Sequence, residues 1–172
     1  MRTAITAQLT DIVNTFTAER TYSSGGTTPL TLCSVERWGL RTDCTTPEHP
    51  FVESEATWLL ADSGLRLTLQ RARSRHSKPL PTVLTAVKVQ RDTRSWQTTD
   101  LLLGLEIAGN RTPRFARSEE FASAVAGGVI TPPDADLALQ TVHQALEELC
   151  SCDHDVDIWL ARQGIVDSWP PR

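Results

Sequence analysis

A chain of 172 residues with a formal charge of −4 and a pI near 5.5 has the size of one domain, large enough to bury a core without disulfides. The acidic balance excludes a general nucleic-acid binder, which needs a basic face to displace counterions. No stretch approaches the length that crosses a bilayer, and no signal peptide is recognisable. We therefore expect a soluble, cytoplasmic protein that binds a small molecule, without nucleic acid or membrane as a partner, and with a homodimer left open.

The first third of the chain predicts a helix, a loop and a strand. Apolar residues recur at helical spacing from Thr3 to Phe16, which indicates an amphipathic N-terminal helix. A Ser/Gly-rich loop follows, and Leu30–Leu40 alternates as a strand would. Prolines and polar residues in Thr42–Glu53 predict a loop long enough to cover a site.

A β-hairpin is predicted next. Its strands are Ala56–Asp62 and Leu65–Gln70, with Ser63-Gly64 as the turn. If the second strand continues, Arg71 and Arg73 extend its leucine face to the rim of the core, where guanidinium groups bind an anion. If the strand stops, the same basic run is a solvated loop.

The central strand is Ser95–Gly109, which follows a strand at Thr82–Gln90. A period of two places four apolar residues on one face, which we interpret as core: Leu101, Leu103, Leu105 and Ile107. The opposite face is mixed: Trp96, Thr98, Asp100, Leu102, Gly104 and Glu106. The half-polar lumen of a small barrel favours such a mixture. The pattern predicts a barrel wall on which Asp100 is the principal chemical residue, in an apolar setting.

The C-terminal third changes to helical periodicity. Ser118 is the expected N-cap of a helix ending at Gly127-Gly128, and Thr131-Pro-Pro133 opens the longest helix. We therefore predict an α+β fold: an antiparallel β-barrel-like sheet with C-terminal helices packed against it and an N-terminal helix. The single domain 1–172 divides into an N-terminal helix and loop (1–28), the barrel (30–116), the helices (118–163) and a tail (164–172).

Residue types that often bind metals or act as nucleophiles form no familiar motif. The sequence has no GxSxG elbow, P-loop, HExxH pair or glycine-rich dinucleotide turn, which excludes several enzyme classes. One residue between Cys150 and Cys152 is not the usual spacing of a zinc site. Free thiols are expected at Cys33, Cys44, Cys150 and Cys152. No site is suggested by His49, His76, His143 or His154.

The order of elements from Trp58 to Leu149 resembles the FomD-like family. The resemblance rests on Trp58 before a Gly64-Leu-Arg-Leu strand, a hairpin closing on Thr99-Asp100-Leu-Leu-Leu103, then Ser118-Glu-Glu-Phe121 and Gly128-Val-Ile-Thr-Pro-Pro133. Better-known members of that family are metal-dependent phosphatases of nucleoside di- and triphosphates or of cytidylylated small molecules. The resemblance implies that fold, and a related activity as one alternative.

The resemblance also implies where a divalent metal would bind. The family uses an Asn or Asp on one strand, three alternating acids on the central strand and two acids near the next helix. Those positions fall here on Leu84, Asp100, Leu102, Gly104, Arg117 and Glu120. Only Asp100 and Glu120 are acidic, and an arginine opposes a cation. The resemblance therefore implies a divergent member that lacks most of the metal ligands.

The leading functional hypothesis is a metal-independent barrel enzyme without a cofactor, performing acid–base chemistry of the cyclase, isomerase or lyase type on an organic biosynthetic intermediate. Asp100 and Glu106 are its candidate catalytic residues. Its candidate substrate-binding residues are Trp96, Leu84, Leu102, Gly104, Arg71, Arg73 and Arg117. One alternative is a phosphatase of a nucleotide or nucleotide-activated small molecule, with Mg²⁺ or Mn²⁺ on Asp100 and Glu120. Another is a non-catalytic, ligand-binding accessory protein.

Overall fold

The computed structural model of the chain describes residues 9–74, 79–109 and 111–166. Within these residues, one antiparallel sheet of ten strands precedes three helices, which confirms the α+β class. The strands are β1 (Thr10–Asn14), β2 (Glu19–Thr21), β3 (Thr27–Pro29), β4 (Leu32–Val35), β5 (Gly39–Thr45), β6 (Val52–Leu60), β7 (Leu65–Ala72), β8 (Thr82–Arg91), β9 (Ser95–Ile107) and β10 (Arg114–Ala116). The helices are α1 (Ser118–Ala126), α2 (Pro132–Cys150) and α3 (Val156–Arg162).

The sheet curls until its two ends approach each other. Its strand order is β3-β2-β1-β9-β8-β7-β6-β5-β4, with β10 beside β9. Four strands separate β2 from β6, so a flat sheet would hold them about 24 Å apart at roughly 4.8 Å per strand. Nevertheless Arg20 of β2 donates a hydrogen bond of 2.9 Å to Glu55 of β6. The sheet is therefore barrel-like, and the face that carries this contact is concave.

The convex face carries the main hydrophobic core. The odd-numbered residues of β9 from Leu101 to Ile107 lie there, as their alternation predicts, and the helices cover them. The long helix α2 packs with a stripe of small and branched residues: Ala135, Ala138, Val142, Ala145 and Leu149. It begins sharply because the Thr131 side chain accepts a hydrogen bond from the backbone N–H of Asp134. Among the described residues, no helix is both long and apolar enough to span a bilayer.

The predicted N-terminal helix is wrong from residue 10 onward, and residues 3–8 of that prediction lie outside the described part of the chain. Thr10–Asn14 is strand β1, which pairs with β9 on one side and β2 on the other. The segment also has period-two alternation, with Asp11 and Val13 on the concave face. Pairing with β9 adds a ladder of backbone hydrogen bonds that a short solvent-exposed helix could not match. The sheet therefore begins near residue 10 rather than 30.

The predicted loop Thr42–Glu53 is also shorter than expected, because β5 extends to Thr45 and β6 begins at Val52. Strand β7, which pairs with β6, continues through Ala72. The basic run is therefore a strand, rather than a solvated loop, as far as Ala72. Residues 75–78 of that run lie outside the described residues.

Candidate functional site

A chain of ion pairs crosses the concave face of the sheet. Arg20 contacts Asp11 at 2.6 Å as well as Glu55, and its guanidinium is almost fully buried. Arg66 of β7 then joins Asp11, at 3.6 Å, to Asp100, at 2.8 Å. Burial by itself would lower the pKa of Arg20, but the carboxylates of Glu55 and Asp11 outweigh it and raise the pKa. Cations and carboxylates thus alternate along the cluster, and each compensates the burial of its neighbours.

Asp100 lies where the pairing of β8 and β9 is irregular. Val87 pairs with Asp100 and Thr85 with Gly104, so that Ala86 alone faces residues 101–103. The backbone at Leu102 has a φ of 69°, and its N–H donates to Oδ1 of Asp100 at 2.7 Å. Such bulges redirect side chains and often lie beside functional sites. The two extra residues preserve the alternation, so Asp100 remains on the concave face.

Two guanidinium groups surround the outer oxygen of Asp100. Oδ2 accepts hydrogen bonds from Arg66 at 2.8 Å and from Arg117 at 3.0 Å. The apolar setting predicted for this carboxylate is therefore wrong. The sequence pattern missed Arg66, which was expected to matter only as part of a turn and strand.

Arg117 is the most exposed member of the cluster. It occupies the N-cap position of α1, which the sequence assigned to Ser118, with a left-handed φ of 60°. Besides Asp100, its guanidinium contacts Glu120 at 3.0 Å. Burial would lower the pKa of Arg117, but Asp100 and Glu120 raise it. With 36 % of its side chain exposed, Arg117 is accessible to a ligand from solvent.

These residues do not fit a divalent metal. Where the resemblance places a cation between Asp100 and Glu120, the structure places the guanidinium of Arg117. Leu84 and Leu102 belong to the main core, and a carboxylate at position 104 would require the backbone to shift, because a Cβ there would lie 2.4 Å from the carbonyl oxygen of Leu84. No group of three metal-binding side chains occurs in the described ranges.

Two adjoining cavities open on the concave face. The cavity beside the ion pairs, here the arginine cavity, has a volume of about 240 Å³. Its lining is Arg20, Tyr22, Glu55, Arg66, Thr68, Gln70, Pro81, Val83, Thr85 and Arg117. Its neighbour, here the threonine cavity, has about 530 Å³. Its lining is Tyr22, Thr27, Thr28, Pro29, Thr45, Thr46, Pro47, Glu48, His49, Val52, Glu55 and Gln70.

Two residues predicted to line the lumen, Leu84 and Leu102, are placed in the main core, whereas Trp96 and Glu106 share the concave face with Asp100. Leu84 was expected beside Asp100, but it is fully buried on the convex face. It pairs with Leu105 of β9, and residues that pair across two strands point to the same face of the sheet. Leu102 is also buried in the main core, since the left-handed turn directs it away from the regular alternation. Trp96 is packed in a second core cluster, with Arg91 over its ring at 4.9 Å. Glu106 lies farther along β9, opposite Val83 and Arg114.

Arg71 and Arg73 lie away from Asp100. Arg71 is exposed near the end of β7 and does not line the arginine cavity. Arg73 donates to four backbone carbonyls of the β5–β6 connection: Thr46, Pro47, His49 and Val52. Its guanidinium thus holds a loop, where the sequence predicted contact with an anion.

The residues that sequence analysis missed come from four different strands: Asp11, Arg20, Glu55 and Arg66. The signal in β7 was present, because Arg66, Thr68 and Gln70 form a polar face opposite three leucines. Asp11 was hidden by the incorrect helix, and Arg20 lies in the segment that was assigned to the loop after it. Nothing local links Arg20 to Glu55, because the contact exists only when the sheet curls.

Comparison with known proteins shows a shared fold. No family model matches the chain, and no curated protein matches it. The protein of unknown function DUF402 from Rhodococcus sp. RHA1 is similar, with a TM-score of 0.87 and 23 % identity over 95 % of this chain and 98 % of that one.

Two similar structures contain nucleotides. The phosphatase SC4828 with the non-hydrolyzable nucleotide GPCP has a TM-score of 0.66 and 12 % identity, over 96 % of this chain and 90 % of that one. FomD in complex with CDP has a TM-score of 0.57 and 13 % identity, over 85 % and 83 %. The predicted resemblance to the FomD-like family is thus supported at the level of the fold.

Proposed function

We propose that this protein is an enzyme that binds a small organic anion in the arginine cavity and uses Asp100 as an acid–base group without a metal ion. The observation that carries the proposal is that Arg66 and Arg117, which both line that cavity, converge on one oxygen of Asp100. Paired guanidinium groups are well suited to carboxylates and phosphates, because they present several donors in a fixed plane. The two fold relatives that hold nucleotides support an anionic ligand of the phosphate type.

The same contacts suggest how binding activates the carboxylate. A ligand anion competes with Asp100 for the guanidinium of Arg117, which is the more exposed of the two arginines. When the ligand takes those donors, Oδ2 of Asp100 loses a hydrogen bond and becomes available to accept a proton from the bound molecule. Oδ1 stays fixed by the N–H of Leu102, so the carboxylate keeps its orientation.

A metal-dependent phosphatase is the second candidate, favoured by the likeness to SC4828 and by Asp100 and Glu120 lying on either side of Arg117. A divalent cation would have to displace Arg117 to reach both carboxylates, and two carboxylates alone form a weak site. The metal-independent enzyme is therefore the better-supported proposal.

The proposal is tested with inorganic pyrophosphate and with variants of opposite expected sign. Arg117→Gln should weaken pyrophosphate binding about tenfold by calorimetry, because it removes a charged donor. Asp100→Asn should strengthen binding, because the competing carboxylate is gone. Arg94→Gln, at an exposed arginine of the β8–β9 turn, is the control and should bind as the parent does. If neither site variant changes the affinity, the anion does not bind here.

Catalysis is tested separately, with a panel of sugar phosphates and nucleoside diphosphates followed by ³¹P and ¹H NMR in the presence of EDTA. A conversion that Asp100→Asn abolishes, although its ligand binding is kept, supports the acid–base role. Turnover of CDP only with Mn²⁺, together with a metal-dependent rise in Tm, would establish the phosphatase instead. Ligand binding without conversion, with or without Mn²⁺, would indicate a non-catalytic, ligand-binding accessory protein.

A further inference from the structure

The strand β4 is an open edge of the sheet. It is the last strand in the strand order, and among the described residues no strand pairs with its outer side. We propose that this edge pairs with β4 of a second copy of the chain, so that the sheet of one copy continues into that of the other. The inference does not depend on the proposed function, because none of the residues described in β4 lines either cavity of the concave face.

The pairing of β4 with β5 shows which backbone groups are free. Glu36 and Gly39 lie opposite each other, and the N–H of each donates to the carbonyl oxygen of the other, at 2.8 and 3.3 Å. Hydrogen-bonded and non-hydrogen-bonded pairs alternate along an antiparallel ladder. The backbone of Ser34 therefore points towards β5, whereas the backbone groups of Cys33 and Val35 point away from it. The outer edge of β4 thus presents two N–H groups and two carbonyl oxygens, for which the described ranges of the chain contain no partner.

This edge lacks the features that usually prevent pairing with another chain. Charged side chains and prolines are common protections of an edge strand, and the segment Leu32–Val35 contains neither. The strand at the other end of the sheet, β3, has only three residues and ends with Pro29, which has no N–H. The side chains of Leu32 and Val35 are 37 % and 47 % exposed. Free backbone groups and exposed apolar side chains therefore occur together on β4, and a further strand would cover both.

A second copy fits this edge because β4 is complementary to itself. In an antiparallel pair with a two-fold axis at Ser34, Cys33 lies opposite Val35 of the partner subunit, and Val35 lies opposite the partner's Cys33. Every free N–H and carbonyl group is then paired, in four hydrogen bonds. The nearest charged residue, Glu36, lies opposite Leu32 of the partner subunit, so no like charges face each other across the pair.

The beginning of β4 selects this register. The N–H of Thr31 donates to the carbonyl oxygen of Asp43 at 2.8 Å. An axis at Cys33 would place Val35 opposite the partner's Thr31, whose N–H is already used. The axis at Ser34 is therefore the register that pairs every free group. Because strands of four residues bury a small area, we expect a weak dimer that dissociates in the micromolar range.

Sedimentation velocity of the full chain over a concentration series tests the association. The parent should pass from monomer to dimer between about 1 and 500 µM, as a weak interface implies. Val35→Lys places a charge on the edge and should weaken the dimer at least about tenfold. The matched control is Leu139→Lys, on α2, where the side chain is 52 % exposed. This control should dimerise as the parent does, and thermal melts establish that both variants are folded.

Disulfide crosslinking tests the register. It is done in a Cys150→Ser background, which removes the exposed native thiol. Ser34→Cys should give a covalent dimer on oxidation, because the axis brings the two copies of this residue into a non-hydrogen-bonded pair with Cα atoms roughly 4.5 Å apart, within reach of a disulfide. Glu36→Cys is the control, since its two copies would lie more than about 13 Å apart along the strands and should not crosslink.

Each outcome decides for or against the inference. A concentration-dependent dimer that Val35→Lys dissociates and Ser34→Cys traps supports it. A parent that stays monomeric throughout overturns it, and the edge is then covered by water or by a strand of another protein. A dimer that Val35→Lys leaves unchanged forms elsewhere on the surface, and crosslinking through Glu36→Cys rather than Ser34→Cys refutes the register. If Val35→Lys does not fold, the two crosslinking variants decide by themselves.

Discussion

Replacing Arg20 by Met should show how much the charge cluster contributes to the closure of the sheet. Arg20 joins β2 to β6 through Glu55 and also binds Asp11, and only 8 % of its side chain is exposed. Each hydrogen bond between charged groups contributes roughly 1.5–3 kcal/mol, and breaking a buried pair typically costs about 3–5 kcal/mol. Asp11 keeps Arg66 and the N–H of Ser23, and Glu55 keeps Gln70. We therefore expect a loss at the lower end, about 3 kcal/mol.

The matched control is Lys88→Met. Lys88 also forms an ion pair of 2.9 Å, with Asp134, but its side chain is 39 % exposed. An exposed pair contributes about 0–1 kcal/mol and is screened by salt. The assay is urea unfolding followed by tryptophan fluorescence, where Arg20→Met should lower the midpoint far more than Lys88→Met. Equal losses in the two variants would refute the argument that burial makes the Arg20 contacts strong.

Three further predictions concern single groups. Tyr22 is the only tyrosine of the chain, and burial raises its pKa to about 12 against the opposing effect of Arg20. The absorbance at 295 nm should therefore titrate near pH 12 in the folded protein and near pH 10 in urea. Because the folded protein has the higher pKa, the contribution of Tyr22 to stability should be complete below pH 10 and should fall as the pH rises towards 12. A midpoint near pH 10 without urea would contradict this. Gly104→Ala places a Cβ 2.4 Å from a backbone oxygen and should lower the free energy of unfolding by about 1–3 kcal/mol in chemical denaturation. Gly26→Ala, with nothing within 4 Å of the added Cβ, should lower it far less. Similar losses in the two variants would show that the close approach of β8 does not require a glycine at position 104. Thr131→Ala removes the N-cap of α2 and should lower the free energy of unfolding by about 1 kcal/mol, with Thr131→Ser restoring most of it; an unchanged Thr131→Ala variant would mean that the prolines alone define this helix start.

The regions that the sequence predicted correctly are those where neighbouring residues carry the information. The leucines of β9 alternate with polar residues and are buried on the helix side, and the Thr131-Pro-Pro start of α2 lies where its capping pattern indicates. Alternation and capping depend on residues within one helical turn or a few strand positions, so they can be recognised from the sequence alone.

The candidate site was only partly predictable. Asp100 was identified because it is a carboxylate on a mixed strand face, and Arg117 because the resemblance aligned it with a ligand position. Their direct contact is a finding of the structure. The roles expected for Leu84 and Leu102 assumed that β9 is a regular strand. The pairing of β9 with β8 instead includes a bulge, which no residue pattern predicted.

The sequence by itself determined the elements whose periodicity is local: the β7–β9 strands with their apolar faces and the helix α2, which begins at its Thr131 cap. Only the tertiary structure decided the rest. The segment Thr10–Asn14 satisfies helical and strand patterns alike, and pairing with β9, more than eighty residues away, selects the strand. The contact between Arg20 and Glu55 exists because the sheet curls through five strand spacings. No local sequence pattern predicts such contacts, because they form and stabilise the protein only when all the intervening strands are already paired.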